Sequence, residues 1–180
     1  MQMADVSFGQ MEARLRQKYP IFNDVKIVDS REKGVSSGRK LEYYSEDDSP
    51  TNSRMVEVFD PSLQGKVLED AVLGDLLHAA KELSPQFKNL RTMLQRTKTA
   101  EQTMHDKQMY DHNRQKYGEA RPYAKWMEHS RLDAFIRGYV VNQWPGYSYT
   151  PQQKAIMDQM MVVVGSNGRK QKSLIGSGNR

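Results

Sequence analysis

At 180 residues, with 37% of them hydrophobic, the chain suits one modest core carrying exposed helices or tails better than it suits a large compact enzyme. The absence of cysteine excludes a disulfide framework and any thiolate metal site, and is compatible with a reducing cytosol. A net charge of +5 and a pI near 9.3 admit an acidic partner, whereas no apolar run approaches the ~20 residues of a membrane span.

In chain order, residues 1–20 read as an N-terminal arm and a short helix. Residues 1–5 lack a charged-then-apolar secretory pattern and are expected to be mobile. Ser7 and Gln10 have capping-box spacing, Phe8, Met11 and Leu15 give an apolar face, and Pro20 stops the helix. The β-branched run V-K-I-V at 25–28 predicts a first strand and L-E-Y-Y at 41–44 a second. The acidic, turn-forming stretch 46–53 leads to a third, M-V-E-V-F at 55–59.

The strongest helical pattern follows, over 61–83. Leu68, Val72, Leu76, Ala79 and Leu83 form a stripe, with Gly74, Asp75, His78 and Glu82 beside it. Ser84 and Pro85 open another helix with Phe87, Leu90 and Leu94 inside and Lys88, Arg91 and Arg96 outside. A capping box from Thr99 to Gln102 starts a helix to about Lys116, ended by Gly118, that is polar nearly all round. Such a helix projects into solvent or lies against a partner. Next come a helix from Pro122 to about Val141 with a strongly apolar second half, an aromatic loop at 143–149, and a last helix capped by Thr150 with Ile156, Met160 and Val163 on one stripe. The Gly-, Ser- and Lys/Arg-rich 165–180 segment predicts a disordered basic tail, which leaves 21–164 as a single domain.

The fold expected is α+β: a small, mostly antiparallel three-stranded sheet covered by the central helix, with a helical C-terminal half.

Three constellations are candidate sites. On the central helix, Asp75 and His78 stand three apart and His78 and Glu82 four apart, so their side chains meet on one face. The strand–helix context resembles the zincins, whose His-Glu-x-x-His helix binds zinc through its two histidines. Asp75 falls at the position of that Glu and His78 at that of the second His, but Gly74 stands where the first His is required. A two-histidine site therefore cannot form. Zinc, held by Asp75, His78 and Glu82, belongs only to an alternative reading as a degenerate zincin-like hydrolase; the leading expectation is no catalytic residue and no cofactor. The second constellation is His105, His112 and His129, with no fixed geometry. The third is basic. Between Ser84 and Arg131 ten Lys and Arg face five acidic residues and are interleaved with Tyr110, Tyr117, Tyr123 and Trp126. Lys88, Arg91, Arg96, Lys98, Arg114 and Lys116, with Arg169, Lys170 and Lys172 of the tail, are the candidates for meeting phosphates in a sequence-independent nucleic-acid binder. No phosphate loop, nucleophile elbow or zinc-finger spacing is present.

The succession L-E-Y-Y, V-E-V-F-D, G-D-L-L-H-A-A, W-M-E-H-S-R-L-D-A-F-I-R-G-Y-V and Y-T-P-Q-Q-K, spread over 41–164, resembles a group of proteins encoded among the virion-structure and DNA-injection genes of tailed bacteriophages and prophages. That group has no established activity, so the resemblance transfers no site. It implies a non-enzymatic phage-associated virion or assembly protein, in the bacterial host cytoplasm or the virion. The implied partners are other phage or host proteins, or further copies of the chain.

Overall fold

The computed structural model describes residues 2–33 and 39–165, with the side chains of 2–7 excepted. The elements are helix α1 (Gln2–Lys18), strands β1 (Lys26–Asp29), β2 (Leu41–Tyr44) and β3 (Met55–Val58), then helices α2 (Gly65–Leu83), α3 (Pro85–Arg96), α4 (Ala100–Tyr117), the short α5 (Tyr123–Trp126), α6 (Leu132–Val140) and α7 (Pro151–Val164). A π-helical turn, Met127–Arg131, joins α5 to α6. The α+β class with a helical C-terminal half is therefore observed. No helix among the described residues is long and apolar enough to cross a membrane.

The chain divides into two compact units. One comprises the described residues through Lys88 with the final turn of α7 from Met161; the other is Asn89–Met160.

In the first unit, helix α1 begins at Gln2, so Ser7 lies within it and does not cap it. Gln, Met and Ala near its start are good helix formers, and residues 2–6 contain no breaker. Arg16 then ties the helix to the following turn, donating to Glu12 and to the carbonyls of Phe22, Asn23 and Val25. The strand order is β1-β3-β2, with β3 central. Pairing is antiparallel between β2 and β3 but parallel between β1 and β3, so the sheet is mixed. The reason is connectivity: β2 takes only the far edge of β3, which leaves the near edge to β1 running in the same direction.

Period-two alternation separates the faces of the sheet. On one, Tyr43 reaches α2, hydrogen-bonding Glu82 at 2.8 Å. On the other, Glu42 and Glu57 stand directly opposite each other. That like-charge pairing is unfavourable, and neighbouring hydroxyls offset it. Ser30 Oγ donates to Glu57 at 2.5 Å, and Tyr44 OH lies 3.1 Å from Glu42 and 3.3 Å from Glu57. Burial and these carboxylates push the Tyr44 phenol up to about 12.

Helix α2 starts later than its sequence pattern, because Asp60 Oδ1 accepts from Ser62 N in an Asx turn and Gly65 has a φ of +56°. Its stripe of Leu68, Val72, Leu76 and Ala79 is fully buried, and Leu73, Leu77 and Ala80 widen it. Gly74 and Asp75 are buried as well.

In the second unit the capping box at Thr99 forms as expected, and α4 ends at Gly118 with a φ of +67°. The α6 helix carries Gly138 beneath the aromatic loop. A Cβ there would lie 2.4 Å from Tyr149 OH and 2.7 Å from the Trp144 ring. Helix propensity favours Ala over Gly by about 1 kcal/mol, but the rings leave no room for the methyl group. Gly138→Ala is therefore expected to destabilise by about 1–3 kcal/mol and to shift tryptophan emission as Trp144 is displaced; chemical denaturation followed by fluorescence checks both.

Candidate functional site

Helix α4 presents Gln102, Asp106 and Tyr110 at successive i, i+4 positions, and these are its buried residues. The sequence makes α4 polar nearly all round, and its inner face is polar too, because each of the three groups meets a dedicated partner. Tyr110 OH donates to the Arg121 carbonyl at 2.7 Å. Its ring packs against Trp126 and Met127. The Gln102 amide pairs reciprocally with that of Gln153, at 2.9 and 2.7 Å.

Asp106 is fully buried. Its Oδ1 accepts from Arg131 Nε at 2.6 Å and its Oδ2 from Lys98 Nζ at 2.6 Å. The two cations are nearly as inaccessible, at 7% and 3% of their side-chain surface. Arg131 comes from the π-helical turn and is stacked over Trp144, 4.5 Å from the ring centroid. Lys98 lies 5.0 Å from the Phe135 centroid. Desolvation pulls the Lys98 ammonium below the usual lysine range, and the Asp106 carboxylate only partly offsets this. A second buried pair lies in the same unit: Arg91 Nη2 to Asp133 at 2.8 Å, with a further bond from Arg91 to the Glu128 carbonyl.

Two basic candidates therefore change role. Arg91 and Lys98, expected on the surface, point inward to Asp133 and Asp106, because each lies where a buried carboxylate demands a counter-charge. Lys88, Arg96, Arg114 and Lys116 are exposed. Arg114 and Lys116 lie against Tyr110 and Tyr117 at 5.8 and 5.3 Å. Arg169, Lys170 and Lys172, with the tail from 166, lie outside the described residues.

In the α2 seam each polar group is placed by its own neighbours. Glu82 Oε2 accepts from Tyr43 OH and from Arg54 Nε at 2.9 Å, and His78 stacks on the Tyr43 ring at 5.7 Å. Burial and the Glu82 carboxylate hold the Tyr43 phenol well above its usual value. His105, His112 and His129 are all exposed. Among the described residues no group of three or more His, Asp or Glu is placed to hold a metal ion.

Sequence reasoning missed Asp106 and Gln102. The available signal was the i, i+4, i+8 line ending in Tyr110, together with a Gln at the third helical position in two Thr-x-x-Gln boxes.

Removing Asp106 leaves two buried cations facing each other. Asp106→Asn is expected to cost about 3–5 kcal/mol, whereas Lys98→Met, which leaves a matched Asp106–Arg131 pair, is expected to cost far less; urea unfolding of both variants tests the asymmetry. Because the folded chain holds the Lys98 proton less tightly than the unfolded chain, it binds fewer protons at pH values between the lowered folded pKa and 10.5. Unfolding free energy therefore gains a component that rises with pH across that window, and Lys98→Met removes it.

The chain matches no family model, and neither a curated protein nor a solved structure is found to be similar to it.

Proposed function

We propose that this is a non-enzymatic protein that works through protein contacts, as a virion or assembly protein of a tailed phage. The observation that carries the contact reading is the display of α4. Its three buried side chains lie along one line, and the helix is capped at both ends. Most of the remaining surface faces water and includes Met104 at 59% and Tyr117 at 70% exposure. Large apolar groups on an otherwise polar, rigidly anchored helix are what a partner surface takes up. The phage assignment rests on the sequence resemblance over 41–164. A degenerate zincin-like hydrolase finds no support in the arrangement of Asp75, His78 and Glu82, since the Glu82 carboxylate is held by Tyr43 and Arg54.

The test uses particles. Phage particles and assembly intermediates are purified from the strain that carries the gene, and the chain is sought by mass spectrometry. It is expected in one of the two fractions, and its absence from both sinks the virion and assembly reading. The paired substitution Met104→Glu with Tyr117→Glu is expected to reduce incorporation at least several-fold. Exposed sites tolerate such changes within about 0.5 kcal/mol, so the melting temperature should stay nearly constant. Full incorporation of this variant would remove α4 as the contact surface.

A further inference from the structure

The charge cluster of the second unit is unbalanced. Lys98 and Arg131 both turn to Asp106, the one carboxylate among the described residues that hydrogen-bonds either of them. Within this hydrogen-bonded set two basic side chains face one carboxylate, and little of either reaches water. Neither cation exhausts its donors. Arg131 binds Asp106 through Nε, and no hydrogen bond joins its two Nη groups to any described residue. Lys98 Nζ, with three N–H groups, makes one hydrogen bond. The hydroxyl of Tyr147, whose ring packs on Trp144, is buried and has no hydrogen-bond partner among the described residues. Burial raises its phenol above the usual range, with the charges of Asp106, Arg131 and Glu101 acting on it as well. A buried hydroxyl without a partner is costly, and so is an uncompensated buried charge.

The surroundings hold these donors in place. Trp144 stacks on the guanidinium, and the Trp144 and Tyr147 rings pack together at 5.1 Å. Both are half-buried on a loop whose Asn142, Gln143, Pro145, Gly146 and Ser148 are exposed, so the donor cluster lies under a surface loop.

We propose that the Nη groups of Arg131, the Lys98 ammonium and the Tyr147 hydroxyl form a binding site for one singly charged oxyanion group, a carboxylate or a phosphodiester. The guanidinium fork matches a pair of oxygens on either group. The single charge matches the surplus, and the phenol supplies a neutral donor for a third contact. Asp106 orients Arg131 and moderates the field without cancelling it. Occupation of the site supplies the missing counter-charge.

The experiment measures the melting temperature of the full chain in sodium formate, in sodium dimethyl phosphate and in sodium chloride at equal ionic strength. A saturable rise of about 4 °C over chloride is expected in at least one oxyanion salt. Formate alone would identify a carboxylate, dimethyl phosphate alone a phosphodiester, and both the shared oxyanion chemistry. Tyr147→Phe, which keeps the ring and removes only the hydroxyl, should weaken the half-saturation concentration about tenfold. Arg131→Lys keeps the charge and removes the fork, and should abolish the oxyanion-specific rise. The proposal fails if neither oxyanion exceeds chloride, or if Tyr147→Phe responds as the parent does. The Tyr147 result stands even where Arg131→Lys does not fold.

Discussion

A carboxylate with no access to water fixes the arrangement of the second unit. Asp106 on α4 accepts from Lys98 at one oxygen and from Arg131 at the other, at 2.6 Å each. The three groups come from the segment before α4, from α4 itself and from the π-helical turn, so their mutual satisfaction determines how those pieces meet. Desolvation of three ions is expensive, and a well-packed apolar replacement is often as stable or more so. What the ions add is geometry. A leucine stripe tolerates sliding, whereas a carboxylate bound by a different cation at each oxygen has one place to be. The π-helical turn belongs to the same constraint: it carries Arg131 within an otherwise α-helical run that buries Trp126, Leu132, Phe135 and Ile136.

The two Thr-x-x-Gln boxes extend this logic. Thr99 with Gln102 and Thr150 with Gln153 each satisfy the first amides of a helix, a local arrangement that requires no tertiary contact. Yet each glutamine carbonyl that accepts from its own cap also accepts from the other glutamine's amide nitrogen. The remaining N–H of each donates onward, Gln102 to the Ser148 carbonyl and Gln153 to the Thr97 carbonyl. A capping motif thus serves as a tertiary joint between the starts of α4 and α7, with the polar groups of both amides paired. Buried amides are stabilising only when satisfied in this way.

The contrast between the units explains what the sequence disclosed. In the first unit, apolar periodicity carries the information. The stripe from Leu68 to Ala79 and the strand L-E-Y-Y were legible because burial is driven by side-chain area and repeats with the backbone period. What periodicity could not give was strand order, since parallel and antiparallel partners of β3 ask for the same apolar residues. In the second unit the buried faces of α3, α4 and the π-helical turn include Arg91, Asp106 and Arg131, which composition assigns to the surface. Their burial depends on partners up to 42 positions away, as Arg91 is from Asp133. No local pattern encodes such a pairing. The caps at Thr99, Gly118 and Thr150 were legible because capping is local; the second role of their glutamines was not.

The polar attachment of α4 also bears on its outer face. A helix docked by an apolar stripe must turn its large hydrophobic side chains inward, and its exposed face is then usually charged. Helix α4 is held by an amide pair, an ion cluster and the Tyr110 side chain, whose ring packs on Trp126 and Met127, so attachment does not require Met104 or Tyr117. Both project into water. Lys116 flanks Tyr117 at 5.3 Å and His112 meets it edge-on at 6.3 Å, which gives the outward aromatic a polar rim. An apolar centre with a polar border is the general pattern of a protein contact. The buried polar groups thus do much of the work of attachment, while Met104, on the opposite side of the helix, and Tyr117, at its C-terminal end, stay at the surface.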